Sequence, residues 1–197
     1  MISRRLLVTL FIMVVASILL TSYAIRLKGR IEDPERLKVY NRPMAAPVTG
    51  PAQVVTLWVA FDENGTLRPR QIPLPLPTEP AQRARQLLKS LLSVYLERRT
   101  PHPIGDGSDV KDVYLLNGDT LIVDWNAPFA DAHRSGILVE DLTILSVAQT
   151  LAVNMPDIKQ IKFLVDGKER DTLAGHADLR QTYDVGVVSK AAKELSQ

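Results

Sequence analysis

Three histidines, His102, His133 and His176, and three aspartates at turn or strand ends, Asp124, Asp166 and Asp178, are the residues of this sequence best suited to chemistry. A zinc site made from the histidines would need all three to converge, and the chain has neither an HExxH motif nor a His pair four residues apart. Neither a metal nor a cofactor is expected. A Ser-His-Asp reading could take Ser135 or Ser146 with His176 and Asp124, but there is no GxSxG elbow, and Ser135 suits the cap of a helix. Asp124 and Asp166 could work as acid and base on a glycan. Local structure accounts for both without chemistry: Asp166 precedes Gly167 in a turn, and Asp124 can accept backbone donors from the loop Asn126–Phe129. No catalytic residue is therefore expected. Gly175-His176-Ala177-Asp178 reads as a capping segment whose imidazole bonds nearby backbone, and His176 could also sense pH.

The elements that would position these residues follow from periodicity. Gln53 to Phe61 is rich in β-branched and aromatic residues and stops at Asn64-Gly65, so it predicts a strand. Thr66 to Ile72 can return along an edge, and the prolines that follow predict a loop over 73–78. A helix with Thr78 as N-cap should run to about Arg99, with Ala84, Leu87, Leu88, Leu91, Leu92 and Tyr95 on one face. Val110–Leu116 and Thr120–Trp125 flank Asn117-Gly118 and predict a hairpin. A second helix should span Ile137 to Asn154, its wide apolar stripe implying deep burial. Gln160–Val165 is a strand and Lys168–Leu173 a short return strand. The economical architecture is α/β of the α+β kind: a two-layer sandwich, with a mixed sheet of about four to six strands and two helices packed on one face.

The chain has 197 residues, 46% hydrophobic and 23% charged, without cysteine, and its net charge of +2 conceals a division. Residues 1–49 carry +5, residues 50–185 carry −4 and residues 186–197 carry +1. An acidic domain argues against a nucleic-acid partner. Leu6 to Ile25 contains no charge and as a helix would extend ~30 Å, the thickness of a bilayer core. The reading is a cytoplasmic stub over 1–5, a transmembrane anchor over 6–25, a linker over 26–52, a domain over 53–180 and a tail over 181–197. Ser22-Tyr23-Ala24 keeps a cleaved signal peptide, and hence secretion, as the rival. Lys and Arg after the span outnumber those before it, which by charge alone places the domain inside; the export-like start places it outside the cytoplasmic membrane.

Phe163-Leu164-Val165-Asp166-Gly167-Lys168, Thr172-Leu173, Gly175-His176 and Asp178-Leu179 together resemble the closing FLVDGK…TLxGHxDL signature of the GerMN domain family of sporulation and spore germination. Val123-Asp124-Trp125-Asn126 is similar to its VD-aromatic-Ser strand end, with Asn126 where Ser is usual. Ser135-Gly136 and the region to Ile158 resemble its second helix. The resemblance covers about residues 53–180 in a single copy. It implies a membrane-attached, extracytoplasmic module similar in layout to ring-building motifs, with no established enzymatic activity. Asp124, Ser135, Asp166, Gly167, Gly175, His176 and Asp178 then become motif residues with structural or interaction roles. The expected partners are the membrane, through residues 6–25, and other envelope proteins or further copies of the chain, in assembly of a membrane complex. A small-molecule substrate is not expected. The alternative is an envelope glycan-binding module or hydrolase using Asp124, Asp166 and His176.

Overall fold

The computed structural model describes Met13, Ser17, Thr21 and residues 51–196. The chain divides into two units, 1–47 and 48–197. In the first, Met13, Ser17 and Thr21 are helical, and the Thr21 hydroxyl donates to the Ser17 carbonyl at 2.8 Å. The rest of the expected anchor over 6–25, and the expected linker as far as residue 50, lie outside the described residues.

The second unit opens with an antiparallel hairpin, β1 (Ala52–Phe61) and β2 (Thr66–Pro75). Strand β2 continues through Pro73 and Pro75, where a loop is expected from sequence. The reason is parity. Thr56, Trp58 and Ala60 of β1 turn their backbone groups away from β2, so their partners Gln71, Pro69 and Leu67 face the outer edge, as do Pro73 and Pro75, and there the Leu67 N–H donates to the Leu195 carbonyl at 3.1 Å. The prolines therefore fall only where no ladder donor is needed. They also leave that edge poor in N–H groups and unattractive to another strand.

Helix α1 (Pro80–Tyr95) is capped by Glu79, not Thr78: its carboxylate accepts from the N–H groups of Ala81 at 2.9 Å and Gln82 at 2.7 Å. It ends at Tyr95, short of the expected Arg99. The predicted face, Ala84, Leu87, Leu88, Leu91, Leu92 and Tyr95, is buried throughout, each leucine contributing about 1.5–3 kcal/mol.

The larger sheet has the order β3-β4-β5-β6: β3 (Val110–Leu116), β4 (Thr120–Trp125), β5 (Gln160–Val165) and β6 (Thr182–Asp184). Only β4 and β5 are parallel. Val113, Leu121, Val123, Trp125, Ile161, Phe163 and Val165 alternate onto its buried face. Between β4 and β5 lie α2 (Ala127–Asp131), which the sequence reading passed over, and α3 (Ile137–Asn154), which matches its predicted bounds. Asn126 caps α2 by accepting from the Phe129 N–H at 3.3 Å, and its amide also donates to the Gly107 carbonyl at 2.7 Å. Gly105 packs so closely on α2 that a Cβ there would lie 2.5 Å from that of Ala132. The expected return strand Lys168–Leu173 is reduced to isolated bridges at Lys168 and Thr172, because residues 171–173 pair with 177–179 instead of β5: the Leu173 N–H donates to the Ala177 carbonyl at 2.9 Å and the Leu179 N–H to the Asp171 carbonyl at 3.0 Å. The stretch 181–197, expected as a tail, carries β6 and α4 (Val185–Glu194), which packs on α3.

The fold is thus α+β, but the one expected sheet is two, and the described residues of this unit hold four helices instead of two. The cause lies on α3. Asn154 accepts from the Thr56 N–H at 3.1 Å and donates to its carbonyl at 2.8 Å; Thr150 accepts from the Trp58 N–H at 2.9 Å; Ser146 donates to the Trp58 carbonyl at 2.6 Å. Tyr95 continues the row, accepting from the Ala60 N–H at 2.9 Å and meeting Ser146 at 2.5 Å. Four helix residues advance ~6 Å and two strand residues ~6.7 Å, so side chains at i, i+4 and i+8 keep step with alternate residues of the strand. A helix occupies the edge of β1 that a further strand would need. By length and composition α3 could also span a membrane, yet it is largely buried inside this unit.

Candidate functional site

Two polar clusters sit one turn apart on α3. The first is centred on Glu140, whose side chain is fully buried. One carboxylate oxygen accepts from the N–H groups of Ala174, His176 and Ala177, each at 2.9 Å. The other accepts from the Gly136 N–H at 3.1 Å and meets His176 Nδ1 at 3.0 Å. Burial works to raise the pKa of this carboxyl, but donation from His176 and from the backbone of Ala174, Ala177 and Gly136 prevails and lowers it to about 2. The loop closes on the carboxylate at Gly175, whose φ of 126° is ill suited to a side chain.

The second cluster is a chain of contacts. His102, fully buried, places Nδ1 2.5 Å from Asp62 and Nε2 2.7 Å from the Thr143 hydroxyl. His133 places Nε2 2.8 Å from the same hydroxyl and Nδ1 2.8 Å from the Arg134 carbonyl. Arg134 reaches the other oxygen of Asp62 at 2.7 Å. Burial pushes both imidazoles down, and Asp62 pulls His102 partly back up.

The motif residues are distributed over these features. His176 bonds to a carboxylate, where the capping segment was expected to bond backbone. Ser135 lies 3.4 Å from His176 but is not the helix cap, which is Gly136 without a side-chain bond. Ser135 and Glu140 both address Nδ1 of His176, whereas a nucleophile and its orienting carboxylate use opposite ring nitrogens. Asp124 is buried and accepts from the Gly167 N–H at 2.7 Å instead of from the loop after β4. Asp166 and Gly167 form a turn with φ of 51° and 73°, and Asp166 meets Lys111 at 3.0 Å. Asp178 accepts from the backbone and side chain of Arg180, which holds its carboxyl below the usual range. Two histidines converge, on Thr143, while His176 joins the other cluster; among the described residues no group of three or more metal-ligating side chains comes together.

Glu140 and Thr143 are the residues that the sequence reading missed. The available signal was spacing: Glu140 stands on the buried row that continues through Ile144, Val147 and Leu151. A carboxylate there must find donors inside the protein.

Residues 56–171 match the family described as Germane: Sporulation and spore germination. The chain belongs to this family. Its Germane region contains both polar clusters except His176 and its neighbours, which lie just beyond the matched residues. Among solved structures, the first GerMN domain of the sporulation protein GerM from Bacillus subtilis is 22% identical, with a TM-score of 0.49 over 64% of this chain and 92% of that one. The tandem GerMN domains of the same protein are 20% identical at a TM-score of 0.47, covering 65% of this chain and 44% of theirs. A Clostridium perfringens protein classed as a lipoprotein is 16% identical at a TM-score of 0.48, covering 79% and 99%. None of the curated proteins matches the sequence.

Proposed function

We propose that this Germane-family protein is a non-catalytic binding module, held at the cytoplasmic membrane by residues 6–25 with its domain outside, which joins envelope proteins or copies of itself into a membrane complex. The observation that carries this reading is the outer face of the larger sheet: Tyr114 and Leu116 are each 50% exposed there, beside Asp112 and Ile122. The residues that could do chemistry are engaged in bonds inside the protein, whereas this face offers an aromatic and aliphatic surface of the kind that interfaces use. The acidic charge of the domain supports a protein partner over nucleic acid.

The test is a photoreactive residue at Tyr114 of the full chain in intact cells. The expected result is discrete adducts with envelope proteins or a second copy, abolished by Leu116→Asp. Recovery of the monomer alone, together with a strictly monomeric full-length protein in detergent, overturns the reading. Protease access to residues 50–185 in whole cells and spheroplasts tests the topology.

A further inference from the structure

The chain Asp62–His102–Thr143–His133 raises a question of proton number. The Asp62 carboxylate and the Arg134 carbonyl can only accept, so each imidazole must carry a hydrogen on Nδ1. With both rings neutral, both Nε2 atoms are bare, and they converge at 2.7 and 2.8 Å on Thr143 Oγ1, which has one hydrogen to give. The Val139 carbonyl, 3.0 Å away, competes for that same hydrogen. One ring must then face the oxygen without a proton between them. A single added proton resolves this: one Nε2–H donates to Thr143, and the hydroxyl donates to the other Nε2.

We infer that His102, Thr143 and His133 form a one-proton site, in which a single imidazolium shared through the hydroxyl fastens the connectors carrying Asp62, His102 and Arg134 to α3. The charges around it agree. Asp62 from the β1–β2 turn and Glu140 from α3 are negative, Arg134 from the α2–α3 connector is positive, and one imidazolium balances them. Tyr95 of α1 stands edge-on to His102 with ring centres 4.7 Å apart, and Phe129 of α2 stands likewise to His133 at 6.2 Å; the Tyr95 phenol, pushed up by burial, remains neutral. A second imidazolium would set two charges on rings 6.2 Å apart in a buried site. Burial opposes even the first, so the proton is exchangeable and the fastening depends on pH.

The consequence reaches the other cluster, because residues 133–136 run from the proton site to Ser135 and Gly136 beside Glu140 and His176. Losing the proton frees one contact at the start of that segment.

The experiment uses the full chain in detergent, labelled with nitrogen-15 at histidine, and follows the ring nitrogens from pH 5 to pH 9. His102 and His133 are expected to release one proton in a joint step. Its midpoint should lie about one pH unit or more above that of the remaining ring in His102→Gln or His133→Gln. Thr143→Ser should keep the joint step and Thr143→Val should abolish it. Two independent midpoints for His102 and His133 in the wild-type chain overturn the inference. So does a spectrum with both Nε2 atoms bare across the range. Because the wild-type spectrum alone separates these outcomes, a variant that fails to fold does not remove the test.

Discussion

Glu140 and Thr143 stand three residues apart on one helix, both buried, and their surroundings are opposites. Glu140 has more donors than a carboxylate commonly meets: four backbone N–H groups and an imidazole converge on it. Thr143 has one hydrogen for two imidazoles and a carbonyl. Surplus donors fix a charge, while a shortage of hydrogens leaves a proton to be gained or lost. One cluster therefore keeps its charge until strongly acid pH, and the other gains or loses a proton more readily.

The largest effect is expected from removal of the Glu140 clasp. Glu140→Ala leaves four N–H groups without an acceptor and should cost roughly 3–5 kcal/mol, read as a lowered midpoint in denaturant. Glu140→Gln, which keeps one acceptor oxygen, should lose less. A loss under ~1 kcal/mol for Glu140→Ala would show that water replaces the carboxylate readily.

Acid titration comes next. The folded carboxyl lies at about 2 against an ordinary 4.5, a depressed value, so its stabilisation is complete above pH ~4.5 and disappears as the pH falls towards 2. The amount is roughly 3 kcal/mol. In Glu140→Gln this acid-dependent part should be missing from the stability profile, and an unchanged profile would assign the acid sensitivity elsewhere.

Smaller effects sharpen the contrast with the C-terminal half of α3. Asn154→Ala exposes the Thr56 N–H and carbonyl at the β1 edge and should cost about 1–3 kcal/mol. Asn126→Ala removes the cap of α2 and should cost about 1 kcal/mol. Tyr114→Ala, on the open sheet face, should change stability by no more than ~0.5 kcal/mol while reducing crosslinking from a photoreactive residue placed at Leu116. A large loss of stability there would make Tyr114 structural and weaken its role as a contact.

Much of this arrangement was readable from residues, and the unread parts share a cause. The stripe of α1, the Asn117-Gly118 hairpin and the bounds of α3 follow from periodicity and turn chemistry, which are local. The TLxGHxDL signature pointed to His176 and Gly175, but not to their partner, because Glu140 is 36 positions away and sequence spacing says nothing of what a loop returns to. The sequence predicts a shorter β2 because prolines oppose a strand unless they face away from its ladder. The side is decided by pairing with β1. Helix α2 is five residues long, too short for periodicity, and depends on Asn126 and on the Trp125–Phe129 stack with ring centres 4.0 Å apart.

The sequence by itself determined the cores of five strands and the two long helices, that residues 50–185 are acidic, and the family to which they belong. Hydrophobic period, turn residues and charge act between neighbours along the chain, and they survive without knowledge of the rest. Only the tertiary structure decided that there are two sheets, that Ser146, Thr150 and Asn154 close the edge between them, and that one buried cluster has a surplus of donors while its neighbour has one hydroxyl hydrogen for three acceptors. These are matters of how many donors and acceptors meet at one point in space, and that number is settled by segments far apart in the chain.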